Sequence, residues 1–208
     1  MNRNHLEMEV KFYLNDSASF EQRLRSIGAS LIQPRTFETN LRFDTPNLEL
    51  TRDHRVLRLR QDQGIYLTYK GPSQPGEAVA IRQEIEIEVN DFDSTRLFLE
   101  ALGYQVNIIY EKWRTKYLLN DLEIDLDEMP FGHFVEIEGD DSVRIERMAV
   151  MLALNWGDRV TDSYIKLFER VKNNLHLDVQ NLTFGDFKDY KVLASDLGLH
   201  PGDIVAYL

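Results

Sequence analysis

Cysteine is absent from the chain. That excludes disulfides and thiolate metal sites. The opening stretch Met1 to His5 is polar and lacks the apolar segment of a signal peptide, so a cytoplasmic protein is expected. No apolar run reaches the roughly 18–20 residues of a membrane-spanning helix. The five histidines are scattered, with no HExxH pattern and no pair at ligand spacing, which argues against a zinc hydrolase. No Walker A loop or dinucleotide fingerprint occurs; the nearest glycines, Gly71 and Gly76, flank a proline-containing loop. Positive charge is in deficit, with a net charge of -11. Nucleic acid and anionic membrane are therefore poor partners, whereas metal cations are not, and a local basic cavity remains compatible with the total.

What the chain does have is alternation. Of its 208 residues, 43% are hydrophobic and 11% aromatic, enough for the core of one domain with an appendage. Strands are expected over 5–14, 31–45, 80–89 and 104–119. A hairpin is expected over 55–71 with its turn near Gln63 and Gly64, and two strands over 120–139 around Pro130, Phe131 and Gly132. Capped amphipathic helices are expected over 17–27, 92–102 and 142–154, with further helices over 161–174 and 185–198. This succession predicts an α+β protein, an eight-stranded antiparallel β-barrel or large sheet with helices packed on its outside.

Side chains on a strand alternate faces, so each strand can be sorted by parity. In "EMEVK", Glu7, Glu9 and Lys11 share one face, and Met8 and Val10 the other. The same split recurs: Arg58 with Arg60; Lys70; Arg82 with Glu84, Glu86 and Glu88; Lys112, Arg114 and Lys116; Glu123, Asp125 and Asp127; Glu136 with Glu138. Their opposite faces are apolar, with Trp113 and Tyr117 read as outward core residues. A half-solvated sheet explains one such strand, but like charges two residues apart repel, and a merely soluble surface is better served by mixed signs. If helices cover the apolar faces, the charged faces close on one another. Carboxylates then call for hard divalent cations, and clustered Arg and Lys for phosphate oxygens. Together these suggest a metal-complexed polyanion such as triphosphate.

"EMEVK" resembles the ExExK signature of CYTH domains, the triphosphate tunnel metalloenzymes. "LRLR" (57–60), "YKGP" (69–72), "RQEIEIE" (82–88), "EKWR" (111–114), "DLDEMPFGHFVEIEG" (125–139) and "SYIKLF" (163–168) resemble later motifs of that family in its order, over about residues 5–170. The resemblance implies an eight-stranded tunnel with triphosphate inside it and Mg²⁺ or Mn²⁺ as cofactor. It implies Glu7, Glu9, Asp125, Glu136 and Glu138 as metal-side carboxylates, and Lys11, Arg58, Arg60, Lys70, Lys112 and Arg114 as the phosphate clamp. Arg82, Glu84, Glu86, Glu88 and Asp127 would line the tunnel in roles the motif does not define. No protein nucleophile is implied: the metal site would position a water or a ribose hydroxyl.

Two features depart from the pattern. Arg42 stands where many members carry an aromatic residue, and the shortest members lack a counterpart of the tail. The chain is accordingly read as a tunnel domain over 1–172 and a C-terminal helical extension over 173–208, packed on the same domain or serving a homodimer. Metal-dependent hydrolysis of tripolyphosphate, thiamine triphosphate or a nucleoside triphosphate is the leading expectation. The turn "DEMPFGHFVEIEG" resembles the phosphatase-like members more than the "GLGDF" of the cyclases. Conversion of ATP to cyclic AMP and pyrophosphate is the alternative, and a non-catalytic polyphosphate- or nucleotide-binding module the third. His133 reads as a turn or rim residue.

Overall fold

A computed structural model describes residues 6–203. Its strands are β1 (Leu6–Leu14), β2 (Ser30–Asp44), β3 (Val56–Gln61), β4 (Ile65–Lys70), β5 (Ala80–Glu88), β6 (Gln105–Leu119), β7 (Leu122–Met129) and β8 (Gly132–Gly139). They form a closed antiparallel barrel in the order β1-β5-β4-β3-β2-β6-β7-β8, with β8 pairing back onto β1. Closure removes both sheet edges. The longest pair, β2 with β6, shifts register between Leu31 and Gln33 and again between Gln33 and Thr36. Pro34 lies inside that stretch and has no N–H to give to a ladder.

The helices are α1 (Ser17–Ser26), α2 (Glu49–Arg52), α3 (Phe92–Ala101), α4 (Ser142–Met151), α5 (Tyr164–Leu175) and α6 (Phe184–Phe187). Asp16, Asp91 and Asp141 cap α1, α3 and α4 by accepting N–H groups of the first turn. Phe20 and Leu24 of α1 and Ile145, Met148 and Ala149 of α4 join Val10, Phe12, Tyr117 and Ile137 in one buried cluster outside the barrel. Leu99 of α3 packs on Leu41, Phe43 and Leu59. The apolar strand faces thus turn outward beneath helices, and the charged faces turn inward. Among the described residues no helix is long and apolar enough to cross a membrane.

One end of the barrel is stoppered. Near the C-terminal end of β1, the inward side chains are Ile108 and Tyr110 of β6, Met129 of β7 and Phe134 of β8. They pack against Tyr164, Leu167, Phe168 and Val171 of α5. The tail completes the stopper with Leu182, Phe187 and Leu197. It is stitched down by backbone bonds from the Leu182 N–H to the Ile109 carbonyl (2.9 Å) and from the Gly202 N–H to the Tyr13 carbonyl (2.9 Å). The single helix expected over 185–198 is not formed. Four residues of α6 and a 3₁₀ turn, Ala194–Leu197, flank non-helical chain. Phe187, Val192 and Leu197 all contact the cluster at a spacing of five, which rotates about 140° per step on a helix and could not present them on one face. Helix α2, not expected from the sequence, is nucleated by the Asp44 carboxylate, which accepts the Leu50 and Thr51 N–H groups (2.9 Å each).

Candidate active site

The register shows why like charges recur along each strand: opposite signs are supplied by the neighbouring strand. Lys70 stands opposite Glu84, Lys11 opposite Glu136, Lys116 opposite Asp125 and Arg114 opposite Asp127. These pairs are made. Lys70 Nζ lies 2.6 Å from Glu7 and 3.2 Å from Glu84. Arg82 bridges Glu7 (3.0 Å) and Glu9 (3.3 Å), and Lys11 bridges Glu9 (3.2 Å) and Glu136 (3.4 Å). Arg114 gathers Asp125 (2.6 Å), Asp127 (2.5 Å) and Glu136. Arg58 and Arg60 reach Glu86 at 3.5 and 3.2 Å.

Two places break this complementarity. Glu138 stands directly opposite Glu9 on β1 and directly opposite Glu123 on β7, so three carboxylates lie abreast across three strands. Like charges so placed are destabilising. Among the described residues the Glu138 carboxylate makes no hydrogen bond or ion pair. Burial first, then Glu7, Glu123, Glu9 and Asp125, push its carboxyl up to about 8. Asp125 is raised as well, by burial and by Glu123 and Asp127 against the opposing pull of Arg114 and Lys116. The second place is its opposite in sign: Arg42 on β2 faces Arg58 on β3.

Both places border one cavity of about 320 Å³. Of the residues expected at the site, Glu7, Glu9, Lys11, Arg58, Arg60, Lys70, Arg82, Glu84, Glu86, Lys112, Arg114, Glu136 and Glu138 all line it. Asp125 and Asp127 lie behind the wall, bound to Arg114, and Asp127 also accepts from the Tyr164 hydroxyl (2.8 Å). Glu88 is exposed at the barrel's rim and is not part of the lining. His133 is exposed at the start of β8. Tyr117 is fully buried outside the barrel, and Trp113 lies beneath Arg35, 3.8 Å from its ring centre.

The inner face of β2 escaped the sequence reading. Glu38, wholly buried, faces Lys112 (3.6 Å), Arg114 (3.9 Å) and Arg60 (3.9 Å). Burial opposes its ionisation, but those cations prevail and lower it to about 2. Tyr110 was also missed; its hydroxyl accepts from Arg58 (3.2 Å), and its titration is lowered by Arg58 and Lys112 despite burial. Alternation on β2 was visible as Glu38, Asn40 and Arg42, but with mixed sign it resembled an ordinary solvated face.

Among the described residues no three acidic or imidazole groups already stand in coordinating positions. Most of the carboxylates instead hold a neighbouring cation. The donor set nevertheless fits a hard divalent cation: oxygen ligands only, with Glu138 unpaired and surrounded by a surplus of carboxylate.

The CYTH domain family matches residues 5–149. A Methanocaldococcus jannaschii protein named "Putative adenylate cyclase" is 27% identical over 173 residues, covering 78% of this chain and 98% of that one. An adenylate cyclase of Aeromonas hydrophila is 27% identical over 181 residues, covering 81% of this chain and 91% of its own. Among solved structures, a Pyrococcus horikoshii OT3 protein superposes with a TM-score of 0.67 at 25% identity, over 77% of this chain and 98% of that one. A Hippeastrum protein described as revealing a dominant triphosphatase activity shares the fold at 18% identity, with a TM-score of 0.59 over 93% of this chain and 100% of that one.

Proposed function

Since the chain belongs to the CYTH family, we propose that it hydrolyses a triphosphate with the aid of Mg²⁺ or Mn²⁺. The observation that carries this reading is a carboxylate row, Glu9–Glu138–Glu123, whose central member has no cation partner among the described residues, sharing one cavity with a wall of guanidinium and ammonium groups. A metal–polyphosphate complex supplies a complement to each, the cation to the carboxylates and the phosphates to the guanidinium and ammonium groups. Glu7, Glu9, Glu136 and Glu138, with Asp125 held by Arg114 beside them, would hold the cation. When bound, it supplies charge neutralisation on phosphate oxygens. Lys11, Arg58, Arg60, Lys70, Lys112 and Arg114 bind and orient the phosphates and stabilise charge that develops on the transferring group. Their ion pairs with the neighbouring carboxylates hold these side chains in place around the cavity.

Cyclisation of ATP is the second reading, favoured by the names of the two relatives above. The cavity favours hydrolysis. Among the described residues that line it no aromatic ring is free for a purine, because the Tyr164 ring lies under Lys11 and Lys112 (5.4 and 5.7 Å) and Tyr110 is tied to Arg58. The test is incubation with tripolyphosphate, thiamine triphosphate and ATP, with Mg²⁺ or Mn²⁺, measuring phosphate and cyclic AMP separately. Phosphate release is expected, and Glu9→Gln should reduce it at least a hundredfold with the barrel still folded. Cyclic AMP without matching phosphate would reverse the ranking, and full turnover by the variant at saturating metal would overturn the assignment of the carboxylates.

A further inference from the structure

Eight of the cations that line the cavity pair with a carboxylate: Lys11, Arg58, Arg60, Lys70, Arg82, Lys112, Arg114 and Lys116. Arg42 does not. Among the described residues its guanidinium makes no ion pair and no side-chain hydrogen bond, although it lines the cavity and is largely enclosed. Burial works against its charge; Tyr110 and Asp44 favour it without forming a pair, and Arg82 and Arg58 oppose it. Enclosing a guanidinium without a direct ion pair or hydrogen bond costs free energy that a neutral side chain at this position would avoid.

A second polar group on the same strand face is also unsatisfied. Asn40 is fully buried, and neither atom of its carboxamide has a hydrogen-bond partner. Arg42 and Asn40 lie one pleat apart. In register they stand opposite Arg58 and Arg60 on one side, and Ile108 and Tyr110 on the other. Ile108 and Tyr110 belong to the stopper, so this polar pair sits toward the closed end of the cavity, where Ser163, Tyr164 and Ile165 of the α5 start also border it. The carboxylate row Glu9–Glu138–Glu123 belongs to the other end, where β1 begins and β8 finishes.

We infer that Arg42, assisted by Asn40, is a specificity-determining residue that reads the charged terminus of a phosphate chain at the closed end of the tunnel. The inference rests on the site being a triphosphate site. It adds a length gauge: a chain anchored near the carboxylate row must be long enough to bring a terminal phosphate to Arg42. Pyrophosphate, held by the central cations, would leave Arg42 unsatisfied. Tripolyphosphate and tetrapolyphosphate would satisfy it.

The test is calorimetric binding of pyrophosphate, tripolyphosphate and tetrapolyphosphate to the full chain without metal, which separates recognition from turnover. Wild type and Arg42→Met are compared. Because Arg42 makes no ion pair or hydrogen bond through its side chain among the described residues, the variant is expected to fold; Arg42→Gln serves the same comparison if it does not. The expected result is at least a tenfold weaker affinity for whichever of the two longer chains binds wild type best, and less than a threefold change for pyrophosphate. Equal losses at every length would reduce Arg42 to part of the general field and overturn the inference, as would no loss at any length. Failure of wild type to bind any of the three would instead overturn the triphosphate reading itself.

Discussion

Glu38 shows how a single buried carboxylate holds the cationic wall together. Its folded-state titration near 2 lies below that of an unfolded glutamate near 4.5. A depressed value means stability that is complete above about pH 4.5 and is lost as pH falls toward 2. Glu38→Gln should therefore cost on the order of 3 kcal/mol at pH 7, with the difference from wild type shrinking through that acid window. Urea denaturation at several pH values measures it; a difference independent of pH would mean that packing, and not charge, is what the residue contributes. Sequence pattern located the charged faces of β1, β3, β5, β6, β7 and β8 because each repeats its charge at every second residue. It passed over Glu38 because one carboxylate among Thr36, Asn40 and Arg42 has no such repeat. The significance of Glu38 lies in Lys112 and Arg114, which come from a strand far along the chain.

At the scale of elements, the barrel was legible and its stopper was not. Parity decides which face of each strand is apolar, and an apolar face must be covered, so helices outside and charge inside follow from local pattern. The closing of one end by α5 depends on inward residues such as Phe134 and Met129. Their parity places them on the charged side, and their chemistry separates them from it. Nothing local marks that change. Phe187 sits at the centre of the closure, with ring contacts to Phe131 (6.3 Å), Phe168 (5.9 Å) and Tyr190 (6.2 Å). Phe187→Ala should destabilise the protein by about 3–5 kcal/mol, as expected for emptying a buried aromatic site. Thermal unfolding gives the comparison, and a shift in Tm within the error of the measurement would show the tail to be a loose appendage.

Across the whole molecule, the acidic row and the cationic wall respond oppositely to protons. Glu138 titrates near 8 in the folded chain, well above an unfolded glutamate near 4.5. A raised value means stability that is complete below about pH 4.5 and is lost as pH rises through 8. Without metal, wild type should lose stability over that interval relative to Glu138→Gln, by on the order of 3 kcal/mol at pH 8. Saturating Mg²⁺ or Mn²⁺ should remove most of the deficit, because a cation replaces the proton as the partner of the carboxylate row. Melting temperatures of both proteins from pH 5 to 8, with and without metal, check this; parallel curves would show that Glu138 is not the group under strain.

The place of β1 in the ring also bears on how the protein is made. The strand that begins the described chain is the one that seals the barrel, pairing with β5 from mid-sequence and with β8 from much later. Contacts so distant in sequence pay their loop-closure entropy before they return any stabilisation, so they form late and slowly. The meeting of Glu9 with Glu138 belongs to that last seam. A partly synthesised or partly folded chain can already carry β2 to β4 and their arginines, but it has no complete acidic row. On the proposed function, competence to capture a metal–phosphate complex would be coupled to completion of the ring.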